Sequence, residues 1–273
     1  MTRAILFDAT KCTGCRGCQV ACKKWNGLTA EVTKNRGTYE NPPDLTADTW
    51  LTMRFNEVAN GNGGISWLFS RRSCMHCSDA GCILVCPTGA LYKHSQGMVL
   101  YDESLCSGCG YCIEACPFDI PRRGGGYNQL TGKGKVAEKC WLCADRITAN
   151  AAAVPQVDRI PACVKTCPPG ALVFGDRFDM ITAAKARIRH LEDQGKTATL
   201  YGETEVGGTQ VMYILDNTPE NYYLPAKPSI ASVRAWQSYL KPIGYGVIGV
   251  VALGLAVNFM ASRARMLQGK EDE

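Results

Sequence analysis

The fold is decided by the stretch Cys12-Thr13-Gly14-Cys15-Arg16-Gly17-Cys18-Gln19-Val20-Ala21-Cys22, which spaces four cysteines by two, two and three residues. Three further groups of four cysteines follow it along the chain. They are Cys74, Cys77, Cys82 and Cys86; Cys106, Cys109, Cys112 and Cys116; and Cys140, Cys143, Cys163 and Cys167. All 16 cysteines of the 273-residue chain belong to these groups. A secreted disulfide-bonded protein of this length would scatter its cysteines more evenly, so the grouping indicates metal binding.

The spacing within the groups is typical of iron–sulfur clusters. Two residues between cysteines let one loop place three thiolates around a 4Fe–4S cube, while the fourth thiolate comes from elsewhere in the chain. In bacterial two-cluster ferredoxins, the run C-x2-C-x2-C-x3-C-P gives its last cysteine to the neighbouring cluster. Zinc could fill one isolated group, but four groups with shared spacing favour four 4Fe–4S clusters. Because each group gives its last cysteine to the cluster of a neighbouring group, the groups must work in pairs. The sequence alone leaves open whether the first group pairs with the second or with the fourth.

The segments between the groups predict a mixed α and β structure. Two groups end alike, in Pro87-Thr88-Gly89-Ala90-Leu91 and Pro168-Pro169-Gly170-Ala171-Leu172, which indicates one supersecondary unit used repeatedly. Alternation and turn residues predict strands over 3–8, 50–58, 65–69 and 98–101, two strands within 200–215, and a hairpin turn at 60–64. Apolar residues at helical spacing predict an amphipathic helix over 179–194. The segment 217–229 is predicted to be a linker or a packed extended arm.

The C-terminal region contains a candidate membrane helix. The segment 243–262 has 20 residues and no charge, which is the length needed to cross a bilayer; the alternative is a buried soluble helix. Arg263, Arg265 and Lys270 follow it, and this positive charge predicts a cytoplasmic C-terminus with the cysteine-bearing body on the other, periplasmic side. The first apolar stretch ends at Asp8 and is too short for a cleavable signal peptide.

Several function classes are disfavoured. The formal net charge of +5 counts the cysteines as neutral, and thiolates bound to clusters would offset it, so charge gives no sign of nucleic-acid binding. No catalytic triad, paired carboxylates or dinucleotide-binding glycine motif is visible, so the chain is predicted to have no catalytic site of its own. His76 is predicted to lie beside a cluster without binding iron, and Trp141 is predicted to shield one. A solvated or interface patch is predicted for Lys133, Lys135 and Lys139.

Three stretches resemble one family. They are Cys12-Thr13-Gly14-Cys15-Arg16-Gly17-Cys18-Gln19-Val20-Ala21-Cys22-Lys23-Lys24-Trp25-Asn26; Cys116-Pro117-Phe118-Asp119-Ile120-Pro121-Arg122; and Ala162-Cys163-Val164-Lys165-Thr166-Cys167-Pro168. They are similar to formate dehydrogenase beta subunits, and more broadly to the four-cluster beta subunits of molybdenum or tungsten oxidoreductases. The resemblance is strong over 4–176, although Lys23 replaces the usual proline. A single C-terminal helix without a signal peptide fits the membrane-bound respiratory type.

The resemblance implies that the first group pairs with the fourth and the second with the third. The implied ligands are Cys12, Cys15, Cys18 and Cys167 for cluster 1; Cys140, Cys143, Cys163 and Cys22 for cluster 2; Cys74, Cys77, Cys82 and Cys116 for cluster 3; and Cys106, Cys109, Cys112 and Cys86 for cluster 4. The implied fold is α+β, with two interlocked ferredoxin-like units and one C-terminal transmembrane helix. Unit A comprises 1–35 and 135–176, unit B comprises 36–134, an extension covers 177–240, and 241–273 holds the helix and a cytoplasmic tail.

The implied function is electron transfer. The resemblance implies that unit A faces a catalytic subunit with a molybdenum or tungsten pterin, and unit B faces a membrane cytochrome b subunit that reduces quinone. The same role in a hydrogenase, or in a polysulfide, thiosulfate or dimethyl sulfoxide reductase, is one alternative. A free membrane-anchored ferredoxin or cluster carrier is an alternative from another class.

Overall fold

The computed structural model describes residues 1–61, 63–124, 136–148 and 155–268, with the backbone alone for 136, 137, 156 and 264–268. The predicted boundary between units A and B, at 134/135, lies outside the described residues, as do Lys133, Lys135 and Lys270. The chain divides into two compact units, Met1–Ile230 and Ala231–Glu273, which are described separately.

The first compact unit consists of short strands and helices. Its strands are β1 (Arg3–Asp8), β2 (Thr52–Ala59), β3 (Ile65–Arg72), β4 (Leu91–Lys93), β5 (Val99–Tyr101), β6 (Arg122–Arg123), β7 (Val136–Glu138), β8 (Leu172–Asp176), β9 (Thr199–Tyr201) and β10 (Val211–Leu215). Its helices are α1 (Gly17–Trp25), α2 (Gly81–Leu84), α3 (Tyr111–Glu114), α4 (Ala144–Ile147), α5 (Ala162–Lys165) and α6 (Arg177–Asp193). Short 3-10 turns lie at Ala9–Lys11, Glu103–Leu105, Gln156–Asp158, Glu205–Gly207 and Pro219–Tyr222. The predicted strands and the amphipathic helix are confirmed, with their ends shifted by a few residues.

A four-stranded sheet, in the order β8-β1-β10-β9, separates two apolar layers. Strand β1 is antiparallel to β8 and parallel to β10. Successive side chains of a strand point to opposite faces. Ile5 and Phe7 therefore pack into the core that contains the cysteines, whereas Ala4 and Leu6 pack on the other side. This sheet forms one wall of the cysteine-rich core.

Helix α6 covers the outer face of this sheet. Its apolar side places Ala184 and Leu191 in one cluster with Leu6 and Met212, and the predicted amphipathic pattern is confirmed. The helix begins where the Asp176 carboxylate accepts a hydrogen bond from the Phe178 N–H at 3.0 Å, which satisfies a free donor of the first turn. The cysteine-rich core is thus closed on this side by a complete second layer.

The repeated sequence motif corresponds to a repeated structure. Asp8 follows β1 and Asp102 follows β5, and each carboxylate caps the 3-10 turn that leads into a cysteine group. After the second and fourth groups, Gly89 (φ 71°) and Gly170 (φ 63°) adopt left-handed conformations that a side chain would strain, and the chain enters β4 and β8. Strand β4 pairs with β5, and β8 with β1. Helix α1 packs against α5, and α2 against α3.

The predicted hairpin is confirmed as β2–β3, which pair from Thr52–Arg72 to Ala59–Ile65. The Asn60 Oδ1 accepts a hydrogen bond from the Gly64 N–H at 2.8 Å and fixes the turn. At the end of β3, Arg71 and Arg72 point to opposite faces. Arg71 is only 1% exposed, whereas Arg72 forms ion pairs outside the core.

The segment 217–229 is a packed extended arm. Tyr222 is buried, and the Pro225 carbonyl accepts a hydrogen bond from the Tyr201 hydroxyl at 2.8 Å. The Asn221 carbonyl accepts another from the Asn56 amide of β2 at 2.9 Å. Of the two predicted alternatives, the packed arm is therefore the observed one.

The second compact unit is helical. It consists of α7 (Ala231–Ala235), a π-helical turn (Trp236–Leu240) and α8 (Lys241–Gln268). The stretch Ala231–Arg263 is long and apolar enough to cross a membrane, and none of its most apolar window is buried. The predicted segment 243–262 lies within α8, which is a candidate membrane anchor.

Candidate metal centres

The structure gathers the 16 cysteines into four neighbourhoods of four thiols, within which the charge of one thiolate acts on the others. Set 1 contains Cys12, Cys15, Cys18 and Cys167; set 2 contains Cys22, Cys140, Cys143 and Cys163; set 3 contains Cys74, Cys77, Cys82 and Cys116; and set 4 contains Cys86, Cys106, Cys109 and Cys112. Each set takes three cysteines from one sequence group and one from another. The binding of a cluster by each set stays a prediction.

The surroundings of the thiols fit a bound cluster, whose iron–sulfur core is positively charged. Burial, with repulsion from neighbouring cysteines, raises the pKa of Cys12 to about 11 and that of Cys18 to about 12. Four thiolates in so small a space need a cation to hold them together. In the described ranges, no three His, Cys, Asp or Glu side chains converge as they would on a single metal ion. A 4Fe–4S cube binds each thiolate at a different iron atom, and four cysteine thiolates are its ordinary ligands, so the donor sets fit this cluster.

Backbone N–H groups point at several of the sulfurs. The Gly14 N–H donates to Cys12 Sγ at 3.5 Å, and the Leu142 N–H donates to Cys140 Sγ at 3.4 Å. At Cys86, burial raises the thiol pKa, but the N–H groups of Leu91 and Thr88 and the Thr88 hydroxyl outweigh it and lower the pKa. Such donors favour negatively charged sulfur and are one means by which a protein adjusts a cluster.

The four sets follow one another in a row. Cysteines of neighbouring sets are close enough for the charge of one to raise the pKa of the other: Cys163 acts on Cys18, Cys140 on Cys74, and Cys112 on Cys82. These three contacts join set 1 to set 2, set 2 to set 3, and set 3 to set 4. The sequence groups thus produce a linear order that their spacing does not reveal.

Set 2 is the most buried of the four sets. All four cysteines of set 2 are buried. In contrast, Cys15 of set 1 and Cys109 of set 4 are exposed. Each end set therefore has one exposed cysteine residue, while the cysteines of set 2 are all buried.

Two buried cations lie beside the inner sets, and sequence reasoning missed both. The Arg71 Nη2 lies 3.9 Å from Cys163 Sγ. Burial lowers the pKa of Arg71, but nearby cysteine thiolates, Cys163 first and then Cys140, outweigh burial and raise the pKa. A sequence signal did exist, because Arg71 and Arg72 are adjacent at the end of a strand and one of them must face inward.

The second buried cation corrects a prediction. Lys139 was expected in a solvated or interface patch, but it is 4% exposed. Its ammonium group donates to the Val99 carbonyl at 2.6 Å and to the Cys140 carbonyl at 3.2 Å. Its positive charge also lowers the pKa of Cys74, against a larger increase from burial. The carbonyl partner on β5, 40 residues away, is what makes the burial of this lysine possible.

His76 lies between two cysteines of set 3 and is fully buried. Its Nδ1 accepts a hydrogen bond from the Val99 N–H at 3.0 Å. Its Nε2 is buried with no hydrogen-bond partner in the part of the chain that the structure describes. The first nitrogen is thus engaged with the backbone, and the position of His76 beside a cluster without binding iron stays a prediction.

Trp141 orients a neighbouring amide. Its Nε1 donates to the Asn26 Oδ1 at 2.6 Å. This leaves the Asn26 amide nitrogen to donate to the Cys22 carbonyl at 2.8 Å, with Cys22 Sγ at 3.6 Å. Trp141 itself is 37% exposed, and its role as a shield of a cluster stays a prediction.

Comparison with known proteins supports the presence of 4Fe–4S clusters. Two family models described as a 4Fe–4S dicluster domain match residues 11–90 and 65–177. The formate dehydrogenase-O iron–sulfur subunit of Escherichia coli is 43% identical over 265 residues, which cover 95% of this chain and 81% of the relative. The nitrate-inducible formate dehydrogenase iron–sulfur subunit of the same organism is 41% identical over 94% of this chain and 84% of the relative.

A more distant relative extends the comparison. Formate dehydrogenase 2 subunit beta (cytochrome c-553) of Nitratidesulfovibrio vulgaris is 37% identical over 231 residues, 82% of this chain and 97% of the relative. The similarity thus covers 82–95% of this chain and 81–97% of the three relatives. The chain belongs to the family of formate dehydrogenase iron–sulfur subunits.

Proposed function

We propose that this chain is the electron-transfer subunit of a membrane-bound formate dehydrogenase and holds four 4Fe–4S clusters in sets 1 to 4. The observation that carries the proposal is the row of four cysteine sets with an exposed cysteine residue at each end. Such a row would give electrons a path between two partner proteins, one at each end. The family membership adds the substrate of the complex, formate.

The residues of this chain hold and adjust the clusters. When bound, a 4Fe–4S cluster accepts or releases one electron. The cysteine loops supply the thiolates, and the N–H groups of Gly14 and Leu142 favour negative charge on two of the sulfurs. The burial of set 2 excludes water from the middle of the row. In this proposal the chain performs no bond chemistry and has no catalytic site of its own.

The ligand sets imply two interlocked ferredoxin-like units. Unit A, 1–35 and 135–176, would hold sets 1 and 2, and unit B, 36–134, would hold sets 3 and 4. The packing of α1 on α5 and of α2 on α3 supports this division, as do the strand pairs β1–β8 and β4–β5. The residues 177–240 then form an extension that includes the outer layer over β1.

The two ends of the row would serve two partners. We assign the end at Cys15, in unit A, to a catalytic subunit with a molybdenum or tungsten pterin. The end at Cys109, in unit B, is assigned to a membrane cytochrome b subunit that reduces quinone. An exposed cysteine residue at each end supports two separate contacts. The apolar helix supports a membrane anchor, and Arg263 with Arg265 beyond the predicted span favours a periplasmic body and a cytoplasmic C-terminus.

The test is electron paramagnetic resonance of the native complex, purified in detergent without oxygen, before and after formate is added. We expect about 16 iron atoms per chain and reduction of the clusters by formate. If dithionite reduces the clusters but formate does not, the proposal of four clusters stands and the assignment of formate as the substrate is contradicted. Hydrogen and sulfur substrates would then distinguish a hydrogenase from a sulfur or sulfoxide reductase. A chain that purifies without any pterin enzyme would favour a free membrane-anchored ferredoxin.

A further inference from the structure

The side chain of Arg71 lies in the interior between two cysteine sets. It is 1% exposed, and its Nη2 lies 3.9 Å from Cys163 Sγ of set 2. Its charge also acts on Cys18 of set 1. The Arg71 carbonyl accepts a hydrogen bond from the buried Tyr213 hydroxyl at 2.7 Å, which fixes the backbone at this point. The guanidinium group is therefore held at the junction between set 1 and set 2.

The donors of this guanidinium group are not all used. Its Nε and Nη1 are buried and have no hydrogen-bond partner among the described residues. Within those ranges, no carboxylate lies within ion-pair distance of Arg71. An arginine removed from water needs a negative partner, because the cost of burying an unpaired charge is several kcal/mol. The negative groups present at this junction are the cysteine sulfurs.

The adjacent residue makes the contrast clear. Arg72, on the opposite face of β3, pairs with Asp44 at 3.0 Å and with Asp119 at 2.7 Å. Its charge is thus already balanced by carboxylates outside the core. The two arginines belong to one strand and carry the same charge, but only Arg71 is directed at sulfur.

We propose that Arg71 is a positioning residue that raises the reduction potentials of the clusters in sets 1 and 2, and that of set 2 most. The inference rests on the proposed cluster content. Reduction adds one negative charge to a cluster and its thiolates, and a nearby cation favours that state. N–H donation to a ligand sulfur acts in the same direction. The position of Nη2 beside Cys163 makes the effect larger for set 2.

The test is a mediator-controlled redox titration of the whole purified complex, followed by electron paramagnetic resonance. Arg71→Gln should move two of the four midpoint potentials to more negative values and leave the other two unchanged. Arg71→Lys keeps the charge but loses the planar fork of donors, so it should give a smaller shift of the same two potentials. Arg72→Gln is the matched control, because it removes the same charge from the same strand, and all four potentials should stay in place.

The outcomes are distinct. Unchanged potentials in an Arg71→Gln complex with full iron content would overturn the proposal, as would an equal shift of all four clusters or an equal effect of Arg72→Gln. Loss of iron from both Arg71 variants would show a structural role and overturn it as well. The titration uses mediators and dithionite, so it is independent of formate. A wild-type complex that formate fails to reduce would therefore contradict the proposed function while the role of Arg71 is still measured.

Discussion

The middle and the ends of the cysteine row are built differently. Set 2 has four buried cysteines, and Arg71 and Lys139 lie beside it. Sets 1 and 4 each place one cysteine, Cys15 or Cys109, at the surface. The same ligand chemistry is thus set in two environments. Under the proposed function, the interior would adjust the clusters by charge and burial, while the ends would be accessible to partners.

The largest expected effect comes from removing one ligand in each environment. Cys163→Ala deletes a buried ligand of set 2 and leaves the Arg71 guanidinium without its sulfur partner, which should cost about 3–5 kcal/mol. We expect little assembled complex, and no formate-driven reduction beyond set 2 in what remains. Complex yield, iron content and thermal unfolding measure this.

Cys15→Ala is the matched change at an end of the row. Because Cys15 is exposed, its truncation leaves no buried cavity, so the variant should lose iron from set 1 alone and less unfolding free energy than Cys163→Ala. Equal losses of stability in the two variants would remove the distinction between middle and ends.

A smaller effect is expected at the junction of sets 2 and 3. Lys139→Met removes the donor to the Val99 and Cys140 carbonyls, and should cost about 1.5–3 kcal/mol, as for hydrogen bonds to a charged group. Thermal unfolding of the complex measures the change. Lys185→Met is the control, since its surface pair with Glu203 should contribute about 0–1 kcal/mol. If the two variants had the same melting temperature, the burial of Lys139 would make no contribution to stability.

The smallest effect is expected outside the core, at Asp44. This half-exposed carboxylate pairs with Arg54, Arg72 and Arg122, and Asp44→Asn should cost about 1 kcal/mol or less. The midpoint potentials should not change, in contrast to the Arg71 variants. Thermal unfolding and the same redox titration measure the two quantities.

The pH dependence of the Asp44 effect follows from its pKa. Burial raises this pKa, but the Leu45 N–H and the guanidinium groups of Arg72 and Arg122 outweigh it and lower it. The stabilisation is therefore fully present above the unfolded pKa of about 3.9 and is lost as the pH falls below it. The difference in melting temperature between wild type and Asp44→Asn should stay constant from about pH 8 to about pH 6. A difference that changes within that range would contradict the assignment.

The sequence was informative where local spacing determines structure. Cysteine spacing identified the groups, and Gly89 with Gly170 marked the repeated turn because a left-handed residue there favours glycine. It was less informative where distant segments meet. The burial of Lys139 depends on a carbonyl of β5, and the order of the four sets depends on contacts such as Cys140 with Cys74. Neither contact leaves a periodic signal in a single sequence.

The hairpin β2–β3 has a consequence for how this chain can change during evolution. Because side chains alternate along β3, inserting or deleting one residue within that strand would exchange the directions of Arg71 and Arg72. The arginine held by carboxylates would turn inward, and the one beside sulfur would turn to the surface. Substitutions in the turn at 60–64 should be tolerated, whereas length changes in β3 should be eliminated by selection. The length of strand β3 thus constrains which arginine lies beside the buried cysteine sulfurs.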